Sequence, residues 1–231
     1  TDFDRAGDVS RRDALLHLRD ELIFVDLSHS KASEDKNLLL DVLRAAAEEV
    51  FLPLTIGGGV RSVDDFRVLL QNGADKISIN SEALINPQLI ADAAKLFGAQ
   101  CVVVSIDYRQ DEDGQFRVYG DSGNTRYDMH PLEWAQKAAD LGAGELLLTC
   151  IDNDGKRNGL ELEVAGQICA GVPIPVIISG GCGRASHFVD GFKTAGADAV
   201  SAGTFFCFQD QNPMQTRGHI KNSDIDIRIH T

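Results

Sequence analysis

Short apolar runs alternate with longer amphipathic stretches along the whole chain. The runs are ELIFVDL (21–27), LPLTI (52–56), DKISIN (75–80), QCVVVSID (100–107), ELLLTCID (145–152), IPVIIS (174–179) and DAVSAG (198–203). Most are apolar almost without interruption, the pattern of strands covered on both faces. Between them, NLLLDVLRAAAEEV (37–50), SVDDFRVLLQNG (62–73) and PLEWAQKAADLG (131–142) carry apolar residues at helical spacing. The alternation predicts βα repetition around a parallel sheet. No Pro- or Ser-rich linker interrupts it, so residues 1–231 read as a single domain.

The two ends of the pattern repeat each other. Ile56-Gly57-Gly58-Gly59 falls on Ile178-Ser179-Gly180-Gly181, 122 positions later, and Phe66 falls on Phe188 at the same offset. GADKISINS (73–81) falls on GADAVSAGT (196–204), 123 positions later. A nearly constant offset of this kind is the mark of an internal duplication. Two (βα)4 halves make an α/β fold of the (βα)8 TIM-barrel class, whose usual length is about 250 residues. The half that begins at QCVVVSID has four strands, and the half before it has three. By symmetry the unmatched strand belongs upstream of Thr1, so the expectation is an N-terminally truncated barrel that lacks its first strand.

Composition narrows the partners. A formal net charge of −13 argues against nucleic acid or an anionic membrane surface, and no run is apolar for the roughly 18 residues of a membrane span. The opening TDFDRAGDVSRRD is charged from its second residue, unlike a signal peptide. Five scattered cysteines without a CxxC pair predict neither a zinc site nor a disulfide framework, and a cytoplasmic protein with buried thiols. The six histidines, His29 near the strand ends included, show no ligand spacing. No metal and no cofactor is expected.

A strand that stops in glycines and turns into a helix offers bare backbone N–H groups to an anion. Gly58, Gly59, Asn80 and Ser81 would make one such phosphate cup. Asp154, Gly155, Gly180, Gly181, Gly203 and Thr204 would make its duplicate. Paired cups suit a small molecule with a phosphate at each end. In a barrel, catalytic groups sit at strand C-terminal ends, where this chain has Asp107, Asp26, Asp152 and Asp154, with the hydroxyls of Thr149 and Ser179. Asp107, closing a buried strand, is the acid/base candidate. At the other end Glu21, Lys76 and Glu145 begin three strands and would ring the bottom of the barrel.

Taken in order, ELIFVDLSHS, PLTIGGGVRS, GADKISIN, VVVSID, GAGELLLTCIDNDG, PVIISGGCG and GADAVSAGTFF resemble the cyclase subunit family of imidazole glycerol phosphate synthase, over nearly the whole chain. The resemblance implies a carbon–nitrogen lyase of histidine biosynthesis. Such an enzyme takes a bis-phosphate ribulosyl substrate, adds ammonia, and releases imidazole glycerol phosphate and an aminoimidazole carboxamide ribotide. It implies a glutaminase partner docked at the N-terminal face, with Glu21, Lys76 and Glu145 as members of an ammonia gate. It also makes Asp107 one of two catalytic aspartates, the other lying on the first strand, so the chain as given is expected to be a poor cyclase.

Departures from the family pattern leave alternatives. DRDGT reads DNDGK here, with Lys156 beside the second cup, and YGDSGNTRYDMHP (119–131), read as a loop close to the substrate, lacks a threonine–glycine pair. A related branch delivers ammonia to amidate surface-polysaccharide sugars, a non-catalytic barrel would only bind phosphates, and a bis-phosphate isomerase would act without ammonia.

Overall fold

The computed structural model describes residues 20–26, 33–50, 52–208, 212–225 and 227. They group into two compact units, the first ending at Ser78 and the second running from Ile79 to Ile227. His29 lies outside the described residues, and so does part of the tail from 210 onward.

In the first unit β1 (Leu22–Val25), α1 (Ser33–Glu49), β2 (Leu54–Gly57) and α2 (Val63–Gln71) lead to β3 (Lys76–Ile79), which carries the chain across the unit boundary. β1 pairs with β2 and β2 with β3, both parallel, so Val25, Gly57 and Ser78 share one row. Leu54 and Ile56 are each 1% exposed and Ile77 is fully buried. On α2, Phe66 and Leu69 at i and i+3 are the buried face, the spacing of an amphipathic helix.

The second unit opens with α3 (Ser81–Ile85), α4 (Gln88–Phe97) and β4 (Val102–Gln110), then β5 (Phe116–Gly120) and β6 (Thr125–Tyr127). It continues as α5 (Pro131–Asp140), β7 (Glu145–Cys150), α6 (Glu163–Gly171), β8 (Val176–Ser179), α7 (Ala185–Lys193), β9 (Ala199–Val200), α8 (Thr204–Phe208) and α9 (Pro213–Lys221). β4, β7, β8 and β9 pair in that order, all parallel. Val102, Val103, Val104 and Ile106 of β4 are fully buried, as continuous apolar runs require. Among the described residues no helix is long and apolar enough to cross a membrane.

Three expectations change. β4 does not close at Asp107 but continues to Gln110, because β5 pairs with its extension in antiparallel fashion, Asp107 opposite Tyr119. The loop read over 119–131 is in its first part a hairpin, made by residues 116–127. Its strands are short and arginine-rich, and they are held by side-chain pairs: Arg109 over the Tyr119 ring at 4.1 Å and Arg117 to Asp128 at 3.0 Å. Among the thiols Cys150 and Cys182 are buried, Cys101 and Cys169 half-buried, and Cys207 is exposed, because the five-residue α8 buries only Phe205.

Candidate active site

Parallel register sets three predicted residues in one row: Asp107 lies opposite Thr149, and Thr149 opposite Ser179. Neighbouring strands are about 4.8 Å apart, so a carboxyl and two hydroxyls line one end of the sheet. Asn80, at the end of β3, donates from Nδ2 to Asp107 Oδ2 at 2.9 Å. Its Oδ1 is buried and has no partner among the described residues. An unmet buried acceptor of this kind favours a ligand that brings a donor.

Burial pushes the Asp107 carboxyl up from 3.8 to about 6, and the charge of Asp154 adds to the rise. Hydrogen bonds from Ser105 and Asn80 pull it partly back. Ser105 is two residues before Asp107, on the same face of β4. The result is a carboxyl that exchanges its proton near neutral pH, as an acid/base catalyst requires.

The second predicted cup is assembled within its unit. Asp154, Gly155, Ser179, Gly180, Gly181, Gly203 and Thr204 line one small open cleft, joined by Cys182, Ser201 and Ala202. Gly180 and Gly181 have φ of 90° and 107°. A Cβ at Gly180 would stand 2.6 Å from the Cys150 carbonyl oxygen, and one at Gly181 would stand 2.1 Å from that of Gly159. Only glycine combines that conformation with that approach. Asp154 links this cleft to Asp107 through its charge. Asp152 turns away from it, accepting the Gln110 N–H at 3.0 Å.

The first predicted cup divides between the units, Gly58 and Gly59 in the first and Asn80 and Ser81 in the second. Gly58 and Gly59 repeat the left-handed pair, with φ of 97° and 67°, and a Cβ on Gly58 would meet the Asp26 carbonyl oxygen at 2.2 Å. The Asp26 N–H donates to the Gly57 carbonyl at 2.9 Å. The Ser81 hydroxyl accepts the Asp121 N–H of the hairpin turn at 2.8 Å, and Asn80 is turned to Asp107. Of the gate residues, Lys76 and Glu21 form an ion pair at 2.7 Å in the first unit. Glu145 begins β7 in the second, opposite Val103.

Ser105 and the orphaned oxygen of Asn80 went unnoticed in the sequence. Strand alternation from Asp107 is the signal that would have found Ser105. No group of three His, Cys, Asp or Glu placed to hold a metal occurs among the described residues. Burial raises the Cys150 and Cys169 thiols to about 11 and Cys182 to about 12, which keeps them protonated and unreactive.

A family model described as "Histidine biosynthesis protein" matches residues 17–212. A Prochlorococcus marinus (strain MIT 9313) protein, provisionally named imidazole glycerol phosphate synthase subunit hisF2, is 49% identical over 212 residues, covering 92% of this chain and 80% of the relative. "Imidazole glycerol phosphate synthase subunit HisF" of Clostridium botulinum (strain Langeland / NCTC 10281 / Type F) is 42% identical over 212 residues, with 91% and 83% covered. The protein of the same name from Methanopyrus kandleri is 41% identical over 230 residues, with 92% and 84% covered. The chain belongs to this family of imidazole glycerol phosphate synthase subunits, and its fold class is the family's α/β, (βα)8-barrel class.

Proposed function

We propose that this chain is the cyclase of histidine biosynthesis, acting as a carbon–nitrogen lyase on a bis-phosphate ribulosyl substrate with ammonia from a glutaminase subunit. The observation that carries the reading is Asp107, raised to about 6 beside Asp154, which itself lines the second glycine cup. One phosphate anchored in that cup would bring the substrate's reacting centre toward the row Asp107, Thr149, Ser179. Asp107 then accepts and returns protons as ammonia adds, the carbon–nitrogen bond breaks and the imidazole ring closes. Asn80 holds the carboxylate in place with one end of its amide and offers its free Oδ1 to a donor on the substrate.

Gly58 and Gly59 are assigned to the other phosphate, with Asp26 hydrogen-bonded to the neighbouring Gly57. The glutaminase docks at the strand N-terminal face, where Glu21, Lys76 and Glu145 gate ammonia; their positions at the strand starts support this. The protein works as one barrel domain in the cytoplasm. The relatives described above carry the cyclase name, and none lends support to polysaccharide amidation or to a binding-only barrel.

Asp107→Asn tests the reading. In the intact protein with saturating ammonia, turnover should fall by about 10²–10⁴, the range of a lost acid/base group, while substrate affinity stays within about threefold. Turnover at the native rate would sink the assignment. For the native protein, kcat/KM at fixed free ammonia should titrate near pH 6, and a profile flat from pH 5 to 8 would remove Asp107 from the chemistry.

A further inference from the structure

The glycine turn of the second cup is held from two sides. On one side is the loop 153–159: Asn153 Nδ2 donates to the Gly159 carbonyl at 3.1 Å, and the Gly159 N–H donates to the Gly181 carbonyl at 2.9 Å. On the other side is one imidazole. The Gly183 N–H donates to His187 Nδ1 at 3.1 Å. To accept there, Nδ1 must be unprotonated, which puts the ring proton on Nε2. The Nε2 edge is turned toward the loop, for a Cβ on Gly159 would lie 3.9 Å from it.

Position 187 is the third residue of α7, counted from the N-cap Arg184, which makes no side-chain capping bond. Its counterpart in the first unit, 122 residues earlier, is Asp65, third in α2 after the N-cap Ser62. Asp65 Oδ2 accepts the Arg61 N–H at 3.0 Å, and Arg61 is the counterpart of Gly183 at the same offset. Both halves therefore keep a bond from the third helical residue back to the N–H just before the N-cap, from a carboxylate in one and an imidazole in the other.

We propose that His187 is a positioning residue for the second cup. It holds the Gly183 N–H and borders the Gly159 loop, so that the backbone N–H groups of the turn are aimed before the phosphate arrives. This rests on the phosphate-cup reading above. Preorganisation of a binding turn shows in affinity, while the proton transfers at Asp107 proceed as before. The residue acts on KM and leaves kcat alone.

The test compares native protein, His187→Leu and His187→Asn, whose Oδ1 replaces Nδ1 as acceptor. His187→Leu should raise KM for the bis-phosphate substrate and Kd for inorganic phosphate about tenfold, with kcat within about twofold, and His187→Asn should restore both. Native KM and Kd in His187→Leu, a fall in kcat alone, or an Asn variant no better than Leu would each overturn the inference. Native protein that binds inorganic phosphate but turns over no substrate sinks the cyclase reading only, and the Kd comparison still decides this one. Native protein that binds no inorganic phosphate removes the cup and the inference together. A measurement on unchanged protein covers a Leu variant that does not fold: saturating inorganic phosphate must shift the Gly183 amide and His187 ring resonances, and fixed resonances overturn the proposal.

Discussion

In the first unit the turn after β2 begins with Gly58 and Gly59, and in the second the turn after β8 begins with Gly180 and Gly181. Both pairs are left-handed, and the strands that deliver them are clasped alike. Leu54 N–H donates to Asp75 Oδ2 at 2.8 Å and Asp75 N–H returns to the Leu54 carbonyl at 2.9 Å. Val176 and Asp198 exchange the same two bonds at 2.9 and 3.1 Å. Phe66 and Phe188 are buried at matching positions of the helices that follow, α2 and α7. The surroundings of the turns then diverge. A Cβ on Gly59 would meet nothing within 4 Å among the described residues, whereas one on Gly181 would strike the Gly159 carbonyl and Asn153. The backbone plan is shared, and each unit supports its turn with different side chains and loops.

The largest test breaks that equivalence at the second glycine. Gly181→Ala combines left-handed strain with a 2.1 Å approach to a backbone oxygen that cannot swing away, and should cost about 3 kcal/mol or more. Gly59→Ala carries the conformational penalty alone, about 1–2 kcal/mol. Chemical denaturation of both variants measures the difference, and equal losses would refute the roofed-turn account.

A buried carboxyl sharpens the contrast, since the row that ends in the second turn also holds Asp107. Its folded-state value of about 6 lies above the unfolded 3.8, so the native state binds the proton more tightly. The stability from that proton is complete below pH 3.8 and is lost as pH rises through about 6. Asp107→Asn, although impaired in catalysis, should therefore be more stable than native by roughly 1–3 kcal/mol at pH 8. The gain should vanish below pH 4. Urea midpoints across that range check it; a gain independent of pH would mean the carboxyl is not destabilised by burial.

The clasps should answer alike. Asp75→Ala and Asp198→Ala each remove the acceptor of one strand-end N–H, for about 1 kcal/mol apiece. Unequal costs, read by denaturation of the two variants side by side, would show that the duplicated clasp is energetically private to one half.

All seven described parallel strands were legible in the sequence, and those buried on both faces, such as β2 and β4, stood out most plainly because they have no polar alternation to obscure them. The glycine turns were legible for a related reason, since left-handed backbone leaves few residue choices. The hairpin of β5 and β6 was not legible. Its strands are five and three residues long, and charged side chains that look like loop composition are what hold it, through pairs such as Arg109 with Tyr119. Nor was the bond from Asn80 to Asp107, which spans 27 residues and depends on how β3 ends rather than on any local pattern. Asn80 was read as a phosphate ligand from its place after a strand, and the structure gives its amide to the carboxylate. His130 shows the same limit: its spacing to the other histidines carries no signal, yet it caps α5 by accepting the Leu132 N–H at 3.2 Å.

The smallest test uses the first unit to improve the second. Ser62 and Arg184 are the N-caps of α2 and α7, with φ, ψ of −147°, 162° and −148°, 154°. The backbone at both is therefore set for a side chain to reach the N–H three residues on. Ser62 does so, accepting the Asp65 N–H at 3.2 Å; arginine carries no acceptor and cannot. Arg184→Ser should supply the missing bond and stabilise the protein by about 0.5–1 kcal/mol, with Ser62→Ala losing about as much. Because His187 already holds the Gly183 N–H, the new serine would add to that bond rather than replace it, and a double variant with His187→Asn should keep the whole gain. Thermal unfolding of the four proteins decides it. No gain from Arg184→Ser would mean that α7 starts under constraints its backbone angles do not reveal, and that the likeness of the two halves stops at the helix they both begin.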